Sequence, residues 1–163
     1  MTKGRISILY VDDEENNLVA FKANFRTFCD VFTALSGEEG LEILRKNKIH
    51  VIITDQRMPN MTGVEFLEQV IKEFPDPVRI ILTGYADIQA VVEAINKGQV
   101  YRYIMKPSIM DEMKITISNA YEVYMLKEEN RELVKSLLRA NEQLEFMLRQ
   151  RLLALDGNPD ENK

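Results

Sequence analysis

The sequence predicts an α/β fold: a doubly wound, five-stranded parallel sheet of order 2-1-3-4-5, followed by a long C-terminal helix. Three observations carry this. Short apolar runs alternate with helix-spaced segments five times over, with short connections between them. Four of the five apolar runs end on a functional polar residue: Asp12-Asp13, Asp55, Thr83 and Lys106. From Asp111 to Asp156 no Pro or Gly interrupts a mixture of charged and apolar residues.

The elements follow in order. Arg5-Ile-Ser-Ile-Leu-Tyr-Val11 reads as a first strand, and Leu18, Phe21, Lys22, Phe25 and Phe28 space out as one helix face. Val31 to Ala34 is a short second strand. Ser36-x-x-Glu39 is a capping box that opens a helix through Leu41, Leu44 and Arg45. Val51-Ile-Ile-Thr-Asp55 is a buried third strand, because an apolar run bounded by turn signals suits a parallel sheet covered on both faces. A second capping box, Thr62-x-x-Glu65, starts a helix with Phe66, Leu67, Val70, Ile71 and Phe74, closed by Pro75 and Pro77. Val78 to Thr83 is the fourth strand. Ala90, Val91, Ala94 and Ile95 mark a helix stopped near Gly98, and Val100 to Met105 is the fifth strand.

Composition sets bounds. The chain has 163 residues, enough for one ordinary domain with an appendage, and 45% are apolar, enough for a core. A formal net charge of −5 gives no nucleic-acid footprint within this chain. Cys29 is the single cysteine, so an intrachain disulfide is excluded and a reducing, cytoplasmic setting is expected. No run is apolar enough for a signal peptide or a membrane span. With His50 the single histidine, His-based metal sites and Ser-His-Asp triads drop out.

In a sheet of this order, ligands bind at the switch point beside the carboxyl ends of strands 1 and 3. Those ends are Asp12-Asp13 and Asp55, with Thr83 and Lys106 at the ends of strands 4 and 5. Three close carboxylates repel one another unless a cation sits among them. Oxygen-only ligands suit a hard ion that keeps several waters, Mg²⁺ foremost. A carboxylate is also a competent nucleophile toward phosphorus once a metal and an ammonium neutralise the developing charge. Each residue has a plainer alternative. Asp12 and Asp13 would also serve as helix caps, Thr83 as a partner for a loop amide, and Tyr103 as strand packing. Met58, Met61, Met105, Met110 and Met113 read as gap-fillers.

Val11-Asp-Asp13, Thr54-Asp55, Met58-Pro59, Thr83-Gly84-Tyr85 and Tyr103-x-x-Lys106-Pro107 together resemble the receiver domain of two-component response regulators, over roughly Arg5 to Tyr124. The resemblance implies a flavodoxin-like fold and a phosphorylation-activated switch in a phosphorelay, fed by a sensor histidine kinase or phosphotransfer protein. It implies Asp55 as phospho-acceptor. It assigns Mg²⁺ to Asp12, Asp13, Asp55 and the backbone carbonyl of Arg57. Thr83 is then the switch hydroxyl, Tyr103 the aromatic that changes rotamer, Lys106 the phosphate-binding cation, and Lys106–Pro107 a cis bond. Such a protein catalyses only its own aspartyl phosphorylation and dephosphorylation. Relatives with similar motifs often carry Trp after Lys-Pro, where this chain has Ser108. Rival readings fit less well. A haloacid-dehalogenase-like phosphatase wants a second Asp where Arg57 stands. A flavin carrier wants a phosphate loop where Asp12-Asp13-Glu14-Glu15 would repel the phosphate. A receiver-like scaffold without phosphorylation fits poorly with five intact site residues.

The C-terminal segment carries a heptad seam. Val123, Asn130, Leu137 and Leu144 fall at a, and Leu126, Leu133, Ala140 and Met147 at d. Arg151 at a and Ala140 at d weaken the seam, while Val134 and Leu148 at e broaden it. The expectation is a receiver domain over 1–124, a coiled-coil extension over 125–155 that forms a parallel homodimer, and a disordered tail over 156–163. The helix itself is expected from about Ile109 to Ala154, and the chain is read as either the N-terminal part of a larger regulator or a stand-alone one.

Overall fold

The computed structural model describes residues 4–157. Five strands, β1 (Ile6–Val11), β2 (Cys29–Ala34), β3 (Val51–Asp55), β4 (Val78–Thr83) and β5 (Arg102–Met105), form one parallel sheet of order β2-β1-β3-β4-β5. The helices are α1 (Glu15–Phe25), α2 (Gly37–Lys46), α3 (Gly63–Glu73), α4 (Ile88–Asn96) and α5 (Met110–Asp156). The sheet order and parallel direction are those the sequence predicts. By internal contacts the chain divides into two compact units between Tyr124 and Met125.

Strand side chains alternate between two cores, as the period of two requires. Ile8, Tyr10, Val51, Ile53, Ile80 and Leu82 pack with Leu18, Phe21 and Phe25 of α1 and with Met113, Ile117 and Tyr121 of α5. Leu9, Val11, Ile52 and Ile81 pack on the other side with Leu41, Phe66, Leu67 and Val91. Burial on both faces explains why β3 is apolar throughout until its last two residues. Every residue of Val51–Asp55 is buried.

Several boundaries differ from the sequence reading, each for a local reason. α1 stops at Phe25, and Phe28 packs partly against the core from the following turn. β2 begins at Cys29, two residues earlier than expected, because Cys29 pairs with Ile6. β5 begins at Arg102. Val100 is buried ahead of it, and the Tyr101 amide donates to the Arg79 carbonyl at 2.8 Å. The Thr62/Glu65 capping box is complete. The Ser36 box is half formed: Ser36 caps Glu39, but the Glu39 carboxylate accepts from the Leu35 amide instead of the Ser36 amide. α4 ends in a Schellman turn. Gly98, at φ +74°, donates to Ile95, and Gln99 donates to Ala94.

The second unit is a single helical segment. From 125 to 157 every residue is exposed except the half-exposed Glu128. Asp156 is still helical, which corrects the expected start of the disordered tail; the Gly157 amide bonds the Leu153 carbonyl. The rest of that expected tail, 158–163, lies outside the described residues. Among the described residues no helix is long and apolar enough to cross a membrane.

Candidate functional site

The carboxyl ends of β1 and β3 bring Asp12, Asp13 and Asp55 together, with one oxygen from each lying within 4.8 Å of the others. Asp12 is 1% exposed and Asp55 6%, while Asp13 faces solvent. Lys106, just past β5, places Nζ 2.5 Å from Asp55 Oδ1. Thr83, at the end of β4, is buried at 1% exposure. The sheet register accounts for the convergence: Val11 lies beside Thr54, Asp55 beside Leu82, and Thr83 beside Met105.

Asp55 is held by its surroundings. The Gln56 amide donates to the Leu82 carbonyl at 3.0 Å, continuing the ladder one residue past the strand. Gly63 opens α3 and its amide donates to the Gln56 carbonyl. A Cβ at Gly63 would lie 2.5 Å from the Asp55 carbonyl oxygen, so the close approach of α3 to the end of β3 requires glycine. The Gln56 side chain, 6% exposed, accepts from the Val64 amide at 3.0 Å and fastens the same corner. Burial pushes the Asp55 carboxyl above its ordinary value, the Lys106 hydrogen bond and charge pull it back, and the Asp12 charge pushes it up again.

Asp12 does not cap α1 in the ordinary way. Glu14 occupies the cap position without a side-chain cap bond. Asp12 Oδ1 accepts from the Glu14 amide at 2.9 Å, and Oδ2 accepts from the Tyr10 hydroxyl at 2.9 Å and the Asn17 amide nitrogen at 3.1 Å. Tyr10, Asn17 and Gln56 escaped the sequence reading. Tyr10 sits in the alternating core pattern of β1 and looks like packing, and Asn17 lies in a helix whose apolar spacing drew the reading. The available signal was a tyrosine two residues before a strand-end aspartate, on the same strand face.

The remaining predicted residues are less directly engaged. The Thr83 hydroxyl donates to the Gly84 carbonyl at 3.2 Å. Tyr103 is half-buried against the core that contains Phe66 and Ile81. Arg57 lies in the loop after β3, and its Nε pairs with Asp87 Oδ2 at 2.8 Å, joining the loops that follow β3 and β4. Arg57 is three-quarters exposed, so the pair is worth at most about 1 kcal/mol. The Lys106–Pro107 bond is cis. Cys29 is buried, which pushes its thiol up to about 12, far from a reactive thiolate.

The donor set fits a hard divalent cation. An octahedral Mg²⁺ has metal–oxygen distances of about 2.0–2.1 Å, so opposite ligands stand about 4 Å apart. Three carboxylate oxygens within 4.8 Å of one another are close to that spacing.

Residues 8–118 match the family described as the response regulator receiver domain. The hydrogenase transcriptional regulatory protein HoxA of Cupriavidus necator is 35% identical over 127 residues, covering 78% of this chain and 26% of that protein. The transcriptional regulatory protein ZraR of Escherichia coli is 31% identical over 121 residues, covering 74% of this chain and 27% of that protein. The chain therefore spans about a quarter of the length of these curated relatives. Among solved structures, adenylate cyclase from Rhodopirellula baltica superposes with a TM-score of 0.79 at 35% identity, covering 81% of this chain and 98% of that one. A response regulator receiver domain protein from Clostridium thermocellum gives a TM-score of 0.71 at 35% identity, covering 74% and 98%.

Proposed function

This chain belongs to the response regulator receiver domain family, and we propose that it is a phosphorylation-activated switch that accepts a phosphoryl group on Asp55 from a sensor histidine kinase or phosphotransfer protein. The observation that carries the reading is one buried carboxylate at a strand end, with an ammonium 2.5 Å away and two further carboxylates converging on it. Asp12, Asp13, Asp55 and the Arg57 backbone carbonyl are the groups that would hold Mg²⁺. When bound, the cation neutralises charge on the phosphoryl oxygens. An Asp55 oxygen attacks phosphorus as the donor's bond to phosphorus breaks. Lys106 gives up part of its pairing with Asp55 to a phosphoryl oxygen.

The product adds charge and acceptor oxygens beside Thr83. Thr83 has a hydroxyl spent on a neighbouring carbonyl, a bond worth about 1 kcal/mol and readily exchanged for a charged acceptor. In this reading Thr83 turns toward the phosphoryl group and half-buried Tyr103 moves inward. The chain catalyses no reaction beyond its own phosphorylation and dephosphorylation.

The domain reading is a receiver over 1–124 and a coiled-coil extension over 125–155. Leu126, Leu133, Leu137, Leu144 and Met147 are 57–70% exposed along one seam, which supports a partner helix there. We assign that partner as a second copy, parallel and in register, with Asn130 at an a position fixing two strands. The relatives named as transcriptional regulators support a larger protein whose DNA contacts lie outside this acidic chain. The test is intact mass after incubation with acetyl phosphate. Wild type gains one phosphoryl group only with Mg²⁺, and Asp55→Asn gains none. Equal modification of both proteins overturns the assignment.

A further inference from the structure

Tyr10 faces the core between the sheet and α1. Its ring stacks on Phe21 at 4.2 Å, and Phe21 stacks on Phe25 at 4.5 Å. Ile6 and Ile8 occupy the same face of β1, and an aliphatic residue would fill position 10 as well. A buried phenol hydroxyl needs a partner, and here the partner is an aspartate of the site itself.

A carboxylate offers about four lone-pair directions, two on each oxygen. On Asp12 both directions of Oδ2 are used, by Tyr10 Oη and Asn17 Nδ2, and one direction of Oδ1 is used by the Glu14 amide. One direction on Oδ1 remains. Three donors from β1, the following turn and α1 thus fix a carboxylate that is 1% exposed.

We infer that Tyr10 and Asn17 are positioning residues that lock the Asp12 carboxylate and make Oδ1 its cation-binding oxygen. The inference rests on the reading of Asp12 as a metal ligand. Donors behind a ligating group commonly hold its orientation, and losing one costs about 10–100-fold in metal affinity. Tyr10 carries that work with its hydroxyl alone, and its ring carries the packing.

The two roles separate by substitution. Tyr10→Phe deletes the hydroxyl and keeps the ring stack. Phe25→Leu weakens the same stack and leaves the hydroxyl. Mn²⁺ alone is the probe, its free fraction read by electron paramagnetic resonance in wild type, Tyr10→Phe, Asn17→Ala and Phe25→Leu, with thermal melts in EDTA alongside. Tyr10→Phe and Asn17→Ala weaken Mn²⁺ binding by about tenfold. Phe25→Leu melts lower in EDTA and binds Mn²⁺ within twofold of wild type. Tyr10→Phe binding within twofold of wild type overturns the inference, whatever its melting temperature. So does Phe25→Leu losing affinity in step with Tyr10→Phe, since affinity then follows stability. Wild type without measurable Mn²⁺ binding removes the metal-site reading and this inference with it.

Discussion

The two units use apolar residues in opposite ways. Up to Tyr124, most large apolar side chains are buried, and Phe66, Ile8, Ile52, Ile80 and Ile117 show essentially no exposed surface, although Val19, Ile109 and Ile115 stay exposed. From Met125 on, Leu133, Leu137, Leu144, Leu152 and Leu155 are all more than half exposed. The first unit is complete in itself, because each helix covers a sheet face. The second is a helix whose apolar stripe is exposed among the described residues, and single helices owe most of their stability to packing of such a stripe. The difference is the ground for assigning the proposed phosphoryl chemistry to the unit that buries its own apolar residues, and the proposed association to the unit that exposes them.

The largest effect that would break this comparison is in the second unit. Leu133→Asp with Leu137→Asp places four charges in a paired seam and removes burial worth on the order of 6 kcal/mol or more. Sedimentation at several concentrations is expected to show wild-type dimers and a monomeric double variant, both still phosphorylated on Asp55. A wild type that stays monomeric at micromolar concentration removes self-association from the account.

Phe66→Ala sharpens the other side. Phe66 has no exposed surface and packs against Gly37 and Gly40, so the truncation leaves a cavity and costs about 3–5 kcal/mol. Urea unfolding of the first unit checks it. Leu152→Ala, in the second unit, is expected to leave that transition unmoved.

A smaller effect concerns Asp55. Its carboxyl is raised in the folded protein, so the contribution to stability is present at acid pH and is lost as pH rises through the folded value. Asp55→Asn removes the charge, so in EDTA at neutral pH it is expected to melt higher than wild type. The gap closes as pH falls toward the ordinary carboxylate range. A gap independent of pH contradicts the burial argument.

Much of the fold was legible because each element announces itself. β3 is a run of buried residues, Thr62 and Glu65 write out a helix start, and Gly98 writes a stop. The βα alternation pointed to a parallel sheet, whose common direction puts the ends carrying Asp12, Asp13, Asp55, Thr83 and Lys106 at one edge, and the expected order 2-1-3-4-5 made strands 1 and 3 neighbours. What stayed hidden depends on three-dimensional neighbours. No spacing rule says that Tyr10 and Asn17 meet Asp12, or that Arg57 reaches Asp87 thirty residues on. Boundaries shifted where pairing partners decided them, as Cys29 did by joining Ile6.

The central claim is that the phosphoryl group sits on Asp55, and reductive mapping tests it most directly. Wild type is treated with acetyl phosphate and Mg²⁺, then with borohydride, which converts an aspartyl phosphate to homoserine, and the peptides are sequenced by mass spectrometry. The account predicts homoserine at position 55 alone, and none when Mg²⁺ is withheld. Homoserine at Asp12 or Asp13, or at 55 without Mg²⁺, would contradict it.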